Sequence, residues 1–236
     1  MLRWKDTLAS LDRLLFPPCC LACHGATESA ADVLCPECRD KLVPIRGKYC
    51  RKCGALLDGY RCYACSQTDF SFTFARSALV YQSPVKELVH SLKYSALRSP
   101  ASFFAKAMLD TPSRVRFAEK FDFVMAVPLH RVRQRERGYN QSELIARQIA
   151  RELGLPCEKP VFRRYYTESQ TNLSWERRKD NLKDAFGVRR NAELADKSII
   201  LVDDVFTSGT TVNEIARVLK ANGARKVAVL TASRAV

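Results

Sequence analysis

Histidine is scarce in this chain, with three in 236 residues. His90 falls in an amphipathic segment and reads as a surface or packing residue. His130 has arginines for neighbours and reads as a hydrogen-bond donor rather than a base, so no imidazole-centred chemistry is expected. Nucleotide-binding glycine patterns are missing as well. There is no GxGxxG, and the one phosphate-sized turn contains no lysine, which excludes the usual dinucleotide and nucleoside-triphosphate loops. No apolar run approaches membrane-spanning length. The opening stretch, MLRWKDTLASLDRLLF, places Asp6, Asp12 and Arg13 among its apolar positions and has no small-residue cleavage site, so a secretory leader is not indicated. The expectation is a soluble, cytoplasmic protein. Trp4, Leu8, Leu11 and Leu15 instead fall on one helical face ahead of Pro17 and Pro18, suited to packing against the rest of the chain.

Acidic residues are outnumbered, 25 against 39 lysines and arginines, for a net charge of +14. An imbalance of this size points to polyanionic partners without naming one.

Cysteine is plentiful but unevenly spread: nine of the ten lie between Cys19 and Cys65, and Cys157 stands alone. Four CxxC pairs follow one another: Cys20 with Cys23, Cys35 with Cys38, Cys50 with Cys53, and Cys62 with Cys65. Each spacing suits two thiolates on one metal knuckle, and together they supply ligands for two tetrahedral, structural zinc sites. Pairing the first two knuckles and the last two is simplest; a cross-braced arrangement satisfies the same count. Cys19, beside Cys20, and His24, beside Cys23, are alternative ligands. A disulfide framework is disfavoured by the expected reducing compartment. Few large apolar residues separate the knuckles, so bound metal has to supply much of this segment's folding free energy. Three parts are expected: an amphipathic helix over 1–18, a double zinc ribbon over 19–66 and a larger domain over 67–236.

Beyond Ser66 the pattern changes. FSFTFARSALVY reads as a strand or hairpin, SPVKELVHSLKY as an amphipathic helix, DFVMAVP as a strand, SELIARQIAREL as a helix, and SIILVD and KVAVLTAS as strands. Strands separated by helices predict an α/β fold, a mostly parallel sheet flanked by helices on both sides. Binding sites in such folds lie beyond the carboxyl ends of strands.

Two motifs fall at strand ends. In IILVDDVFTSGTT, an apolar run leads to Asp203 and Asp204 and then to a hydroxyl-rich turn of Thr207, Ser208, Gly209, Thr210 and Thr211. The helical periodicity of VNEIARVLKANG follows, so this turn opens a helix whose unpaired N–H groups suit a phosphate. In AVPLHRVRQRERGYNQ, the residues after the strand, Val127, Pro128, Leu129, His130 and Arg131, form a loop able to face that turn. A third segment, from Arg163 to Phe186, is long, polar and basic with no clear strand, which is typical of a functional loop.

Basic residues also trace a possible nucleic-acid track. Arg131, Arg133, Arg135 and Arg137 alternate, followed by Arg163, Arg164, Arg177, Arg178, Lys179 and Lys183, with Tyr139, Tyr165, Tyr166 and Trp175 interleaved as stacking platforms for unpaired bases. The plainer reading is that these arginines serve an anionic pocket or solvate the surface.

The acidic pair and threonine-rich turn resemble the ribose-phosphate motif of type I phosphoribosyltransferases. Taken with the cysteine pairs, LVHSLKY, PLHRVRQRERGYNQS and QTNLSWERRKDNLKDAF, the series over nearly the whole chain resembles the ComF family of competence-related proteins. The resemblance implies a double zinc ribbon joined to a type I phosphoribosyltransferase domain, with a role in uptake or use of external DNA. It implies that Asp203 and Asp204 hold the ribose of phosphoribosyl pyrophosphate with Mg2+ nearby, and that the 207–211 turn holds its 5-phosphate. Lys93, in the LKY segment, and Val127 to Arg131 would meet pyrophosphate. Gln170, Arg177, Arg178 and Asn181 would belong to a mobile loop covering the substrate. Arg133, Arg135, Arg137, Lys179 and Lys183 are assigned to single-stranded DNA, and other DNA-uptake proteins are possible partners. The alternative is an active phosphoribosyltransferase of nucleotide or related metabolism with no DNA role.

Overall fold

Ile199, Ile200, Leu201 and Val202 are all fully buried, and the strand that carries them, β6 (Ser198–Phe206), lies at the centre of the main sheet. The computed structural model describes residues 18–29, 31–95, 97–111, 121–165 and 184–236. The helical face of Trp4, Leu8, Leu11 and Leu15 lies outside them, as does the stretch from 166 to 183.

The main sheet has five strands in the order β1 (Phe74–Val80), β7 (Lys226–Arg234), β6, β2 (Phe123–Ala126) and β3 (Cys157–Glu158). Every neighbouring pair is parallel. Both faces are covered, which is why the central strands read as continuous apolar runs rather than alternating ones. Ile200, Val202, Ala228 and Leu230 pack with α3 (Val85–Tyr94), α4 (Ser99–Leu109) and α6 (Gln141–Leu153). Ile199, Leu201, Val227 and Val229 pack on the other side with Val212, Ile215, Ala216 and Leu219 of α7 (Thr210–Ala221). A separate antiparallel pair joins β4 (Val161–Arg163) to β5 (Phe186–Val188).

FSFTFARSALVY thus yields one strand rather than a hairpin. Two helices were not anticipated. In α4, SPASFFAKAML is apolar nearly all round because it is largely buried; α5 (Arg131–Arg137) is short, polar and ended by Gly138 at φ 74°. Among the described residues no helix is long and apolar enough to cross a membrane.

The cysteine-rich segment, with its short helices α1 (Pro36–Asp40) and α2 (Tyr63–Gln67), lies along the outer edge of β1. Ala75 N donates to Lys52 O at 2.7 Å, Val80 N to Val43 O at 2.9 Å, and Ile45 N to Ala78 O at 2.9 Å. An edge strand left open would invite pairing with another chain, and this segment closes it. It also straddles the sheet. Cys20, Cys35 and Cys38 join the α3, α4 and α6 side, while Cys53, Phe70 and Phe72 join the α7 side.

Connectivity locates the crevice. From β2 the chain moves outward through α6 to β3, and from β6 it moves outward the opposite way through α7 to β7, yet β2 and β6 are neighbours. The strand order therefore reverses between them, and a parallel sheet opens its ligand crevice at the carboxyl ends of such a pair.

Candidate functional site: an acidic strand end, a hydroxyl turn and two cysteine clusters

The ends of β2 and β6 carry the two motifs singled out above. Val127 N donates to Val202 O at 2.9 Å, so the chain leaving β2 stays against β6 for one more residue. Asn140 then fixes both the loop and the helix after it. Its Nδ2 donates to Val127 O at 2.9 Å, and its Oδ1 accepts from Ser142 N at 3.0 Å as the cap of α6.

Ser142 in turn reaches the acidic pair. Its Oγ donates to Asp203 Oδ1 at 2.9 Å, and the same oxygen accepts from Asp204 N at 2.9 Å. Asp204 is buried, and its Oδ2 lies 2.6 Å from Lys93 Nζ at the end of α3. Two helices from one face of the sheet therefore hold the two carboxyls apart in environment. Burial pushes the Asp203 carboxyl up to about 8, with the charge of Asp204 adding to the effect. Burial works on Asp204 in the same sense, but the Lys93 ammonium outweighs it and keeps this carboxyl below its ordinary range. Lys93 is also part-buried; burial opposes its charge, and Asp204 more than restores it.

The turn follows directly. Gly209 has φ 76°, a conformation that strongly favours glycine, and a Cβ there would come within 2.5 Å of the Phe206 ring. Ser208 Oγ and Thr210 Oγ1 are 2.7 Å apart, and α7 begins at Thr210. Among the described residues, these hydroxyls bond each other and not the carboxylates. The first-turn N–H groups of α7 and its dipole face the region after β6, as an anion site requires.

The other expected residues divide into three groups. Val127 is buried, Pro128, Leu129 and His130 are half-buried, and Arg131 is exposed as the first residue of α5. His130 caps that helix, its Nδ1 accepting from Val132 N at 3.3 Å. The helix also divides the alternating arginines: at 100° per residue, Arg131 and Arg135 share one side while Arg133 and Arg137 share the other. The Arg137 guanidinium lies 5.1 Å from the Tyr94 ring and donates to Gln141 Oε1 at 3.0 Å. Tyr139 is no open stacking platform. Its hydroxyl donates to Leu92 O at 2.6 Å and the Arg98 guanidinium covers its ring at 5.5 Å. Gln170, Arg177, Arg178, Lys179, Asn181 and Lys183 lie outside the described residues, with Tyr166 and Trp175. Asn140, Ser142, Phe206 and Arg234 were not singled out from sequence; the Asn-x-Ser step at a helix start was the available signal for the first two.

Beside the crevice lies a cavity of about 500 Å3 between the β2 loop and the β4–β5 pair, lined by Pro128, Leu129, Arg131, Arg163, Arg189 and Arg190 among others.

The cysteines form two groups, Cys20, Cys23, Cys35 and Cys38, and Cys50, Cys53, Cys62 and Cys65, each with its ligand atoms within 4.8 Å of one another. The knuckles pair in chain order, not cross-braced. Sulfur separations of 3.7, 3.6 and 3.5 Å match the roughly 3.8 Å edge of a tetrahedron with Zn–S bonds of about 2.3 Å. Burial and neighbouring thiols push Cys38 up to about 12, so four thiolates gather there only around a cation. Zinc fits both groups as a closed structural ion. Cys19 is exposed and belongs to neither group, nor does His24.

Comparison with known proteins agrees. The sequence pattern described as "Phosphoribosyl transferase domain" matches residues 139–235, and that described as "Double zinc ribbon domain" matches residues 11–67. A phosphoribosyltransferase-type α/β domain carrying a double zinc ribbon is thus the class that fold and site define. Competence protein F of Haemophilus influenzae is 31% identical over 92% of this chain and 96% of its own length. DNA utilization protein YhgH of Salmonella typhimurium is 32% identical, with the same coverage of both chains. Competence protein ComFC of Bacillus subtilis is 27% identical over 80% of this chain and 79% of its own. The chain belongs to the ComF family, that of competence protein F.

Proposed function

We propose that the chain binds phosphoribosyl pyrophosphate with Mg2+ at the β2/β6 crevice and serves the uptake or use of DNA in a bacterial cytoplasm, contacting single strands. The observation that carries the first part is the acidic strand end. Asp203 is half-buried, anchored by Ser142 and free of an ion pair among the described residues, while Asp204 is already neutralised by Lys93.

That asymmetry assigns roles. Asp203 is the carboxyl left to meet ribose hydroxyls or a hard cation, for which oxygen donors are suited. Asp204 and Lys93 form the fixed support behind it, and the turn at 207–211 receives the 5-phosphate. Bound magnesium would screen the charge developing on departing pyrophosphate. His130, Arg131 and the loop from Val127 lie on the β2 side, where the leaving group's negative charge would be met.

The DNA role is supported by the relatives' names, the net charge of +14 and the arginines of α5. The alternative, an active phosphoribosyltransferase of nucleotide or related metabolism without a DNA role, is favoured by the adjoining cavity, whose volume leaves room for an acceptor. Isothermal titration tests the shared core of both readings. Magnesium-dependent phosphoribosyl pyrophosphate binding should collapse in Asp203→Ala/Asp204→Ala, and equal affinity in the folded variant would refute it. Pyrophosphate release with candidate acceptors separates binding from turnover.

A further inference from the structure

Arg234 is buried near the end of β7, yet the ion pairs among the described residues do not include it. A guanidinium in such surroundings needs negative charge close by. What Arg234 meets is the second cysteine cluster. Its Nη1 donates to Cys53 O at 2.8 Å, and its Nη2 lies 3.9 Å from Cys53 Sγ. Four thiolates around one Zn2+ leave that centre net negative, so the metal-loaded cluster supplies the counter-charge.

The same guanidinium covers the Phe206 ring, 4.2 Å from its centroid. Phe206 is the residue immediately before the hydroxyl turn, and its ring lies where a side chain on Gly209 would have to go. Phe70 and Phe72, on the segment leaving the cysteine-rich region, meet that ring edge-on at 6.5 and 6.2 Å. A second tie runs in parallel: Asn213 in the first turn of α7 accepts from Ser71 N at 2.7 Å.

We propose that Arg234 and Phe206 form a relay through which the second cysteine cluster positions the 207–211 turn. With metal bound, the cluster's negative charge holds the guanidinium over Phe206, and the ring fixes the floor of the turn. Without metal nothing holds the four sulfurs together beside Arg234, the guanidinium loses its partner, and the turn loosens. The first cluster packs on the opposite side of the sheet and has no part in this. The ligand consequence rests on the sugar-phosphate reading; the relay itself does not.

Arg234→Met in the full chain keeps the bulk and removes the charge and donors. Three quantities are read: zinc per chain by elemental mass spectrometry, hydrogen–deuterium exchange over residues 206–212, and phosphoribosyl pyrophosphate binding with Mg2+ by calorimetry. The relay predicts two zinc ions retained, exchange about tenfold faster and binding about tenfold weaker, the scale of one lost buried cation–π contact. Arg234→Lys should recover part of both. Cys62→Ser/Cys65→Ser should reproduce the faster exchange, and Cys20→Ser/Cys23→Ser should not. Unchanged exchange in Arg234→Met, or equal acceleration in the first-cluster variant, overturns the relay. Failure of the wild-type chain to bind phosphoribosyl pyrophosphate would instead remove the proposed ligand, with the exchange comparison still deciding the relay.

Discussion

Lys93 Nζ lies 2.6 Å from Asp204 Oδ2, joining the last turn of α3 to the carboxyl end of β6. The contact neutralises one of two adjacent carboxyls and leaves its neighbour to the crevice. Removing the lysine strands a buried carboxylate, so Lys93→Met should destabilise the fold by about 3 kcal/mol, more than Asp204→Asn, which removes the charge. Urea unfolding of both single variants and the double variant checks this. Strict additivity would mean the pair is uncoupled. Because Asp204 is held below its ordinary range, its stabilising contribution is complete above the usual carboxylate pKa and is lost as pH falls through the depressed value.

Asp203 carries the opposite sign. Its folded pKa of about 8 exceeds that of an unfolded chain, so folding binds a proton and stability declines as pH rises toward 8. Asp203→Asn, which keeps an oxygen facing Ser142, should flatten this decline; thermal melts from pH 5 to 9 measure it. If a cation or sugar engages the ionised carboxylate, binding at pH 7 should release close to one proton, visible as calorimetric heats that vary with buffer ionisation enthalpy. Affinity should climb with pH up to about 8 and then level. Buffer-independent heats would show that Asp203 does not ionise on binding.

The cysteines make a counting prediction. Two zinc ions per chain are expected. Of the thiols outside the clusters, exposed Cys19 should react quickly with a thiol reagent and half-buried Cys157 slowly, its pKa raised by burial. The eight cluster thiols should react only after chelation or unfolding. Rapid reaction of more than two thiols in the native, zinc-loaded chain would contradict the assignment.

For single-stranded DNA, the helical form of α5 sharpens the expectation. Arg131→Ala/Arg135→Ala should reduce the slope of log affinity against log salt by about 1.4, since each phosphate contact contributes about 0.7. Arg137→Ala should matter less, because its guanidinium is engaged with Tyr94 and Gln141. Binding that is unchanged in the double variant excludes this face.

The fold's centre was legible because burial on both sheet faces leaves a plain mark: IILV, FVMA and KVAVL are strands in sequence and in structure. The cysteine spacing was equally direct, since ligand geometry constrains sequence locally; only the choice between Cys19 and Cys20 had no local signature, and the fold resolves it by bringing Cys20 and not Cys19 to the other three sulfurs. Other features depend on contacts between distant residues. No periodicity in RVRQRER distinguishes a capped helix from a loop, because its stabilisation comes from His130 and Gly138 at its ends. Lys93 was placed near pyrophosphate by resemblance alone; its pairing with Asp204 spans 111 positions and has no local signature. Nothing local to Arg234 marks it for burial, and only the approach of Cys53, far earlier in the sequence, gives that burial a reason.

The most direct test of the central claim is a map of backbone amide shifts in 15N-labelled protein as phosphoribosyl pyrophosphate and Mg2+ are added. Phosphate held by the start of α7 and ribose by the acidic strand end should shift the amides of Ser208 to Val212 most, with Asp203 and Asp204 next. Saturable shifts centred elsewhere, or none at ligand excess, would contradict it.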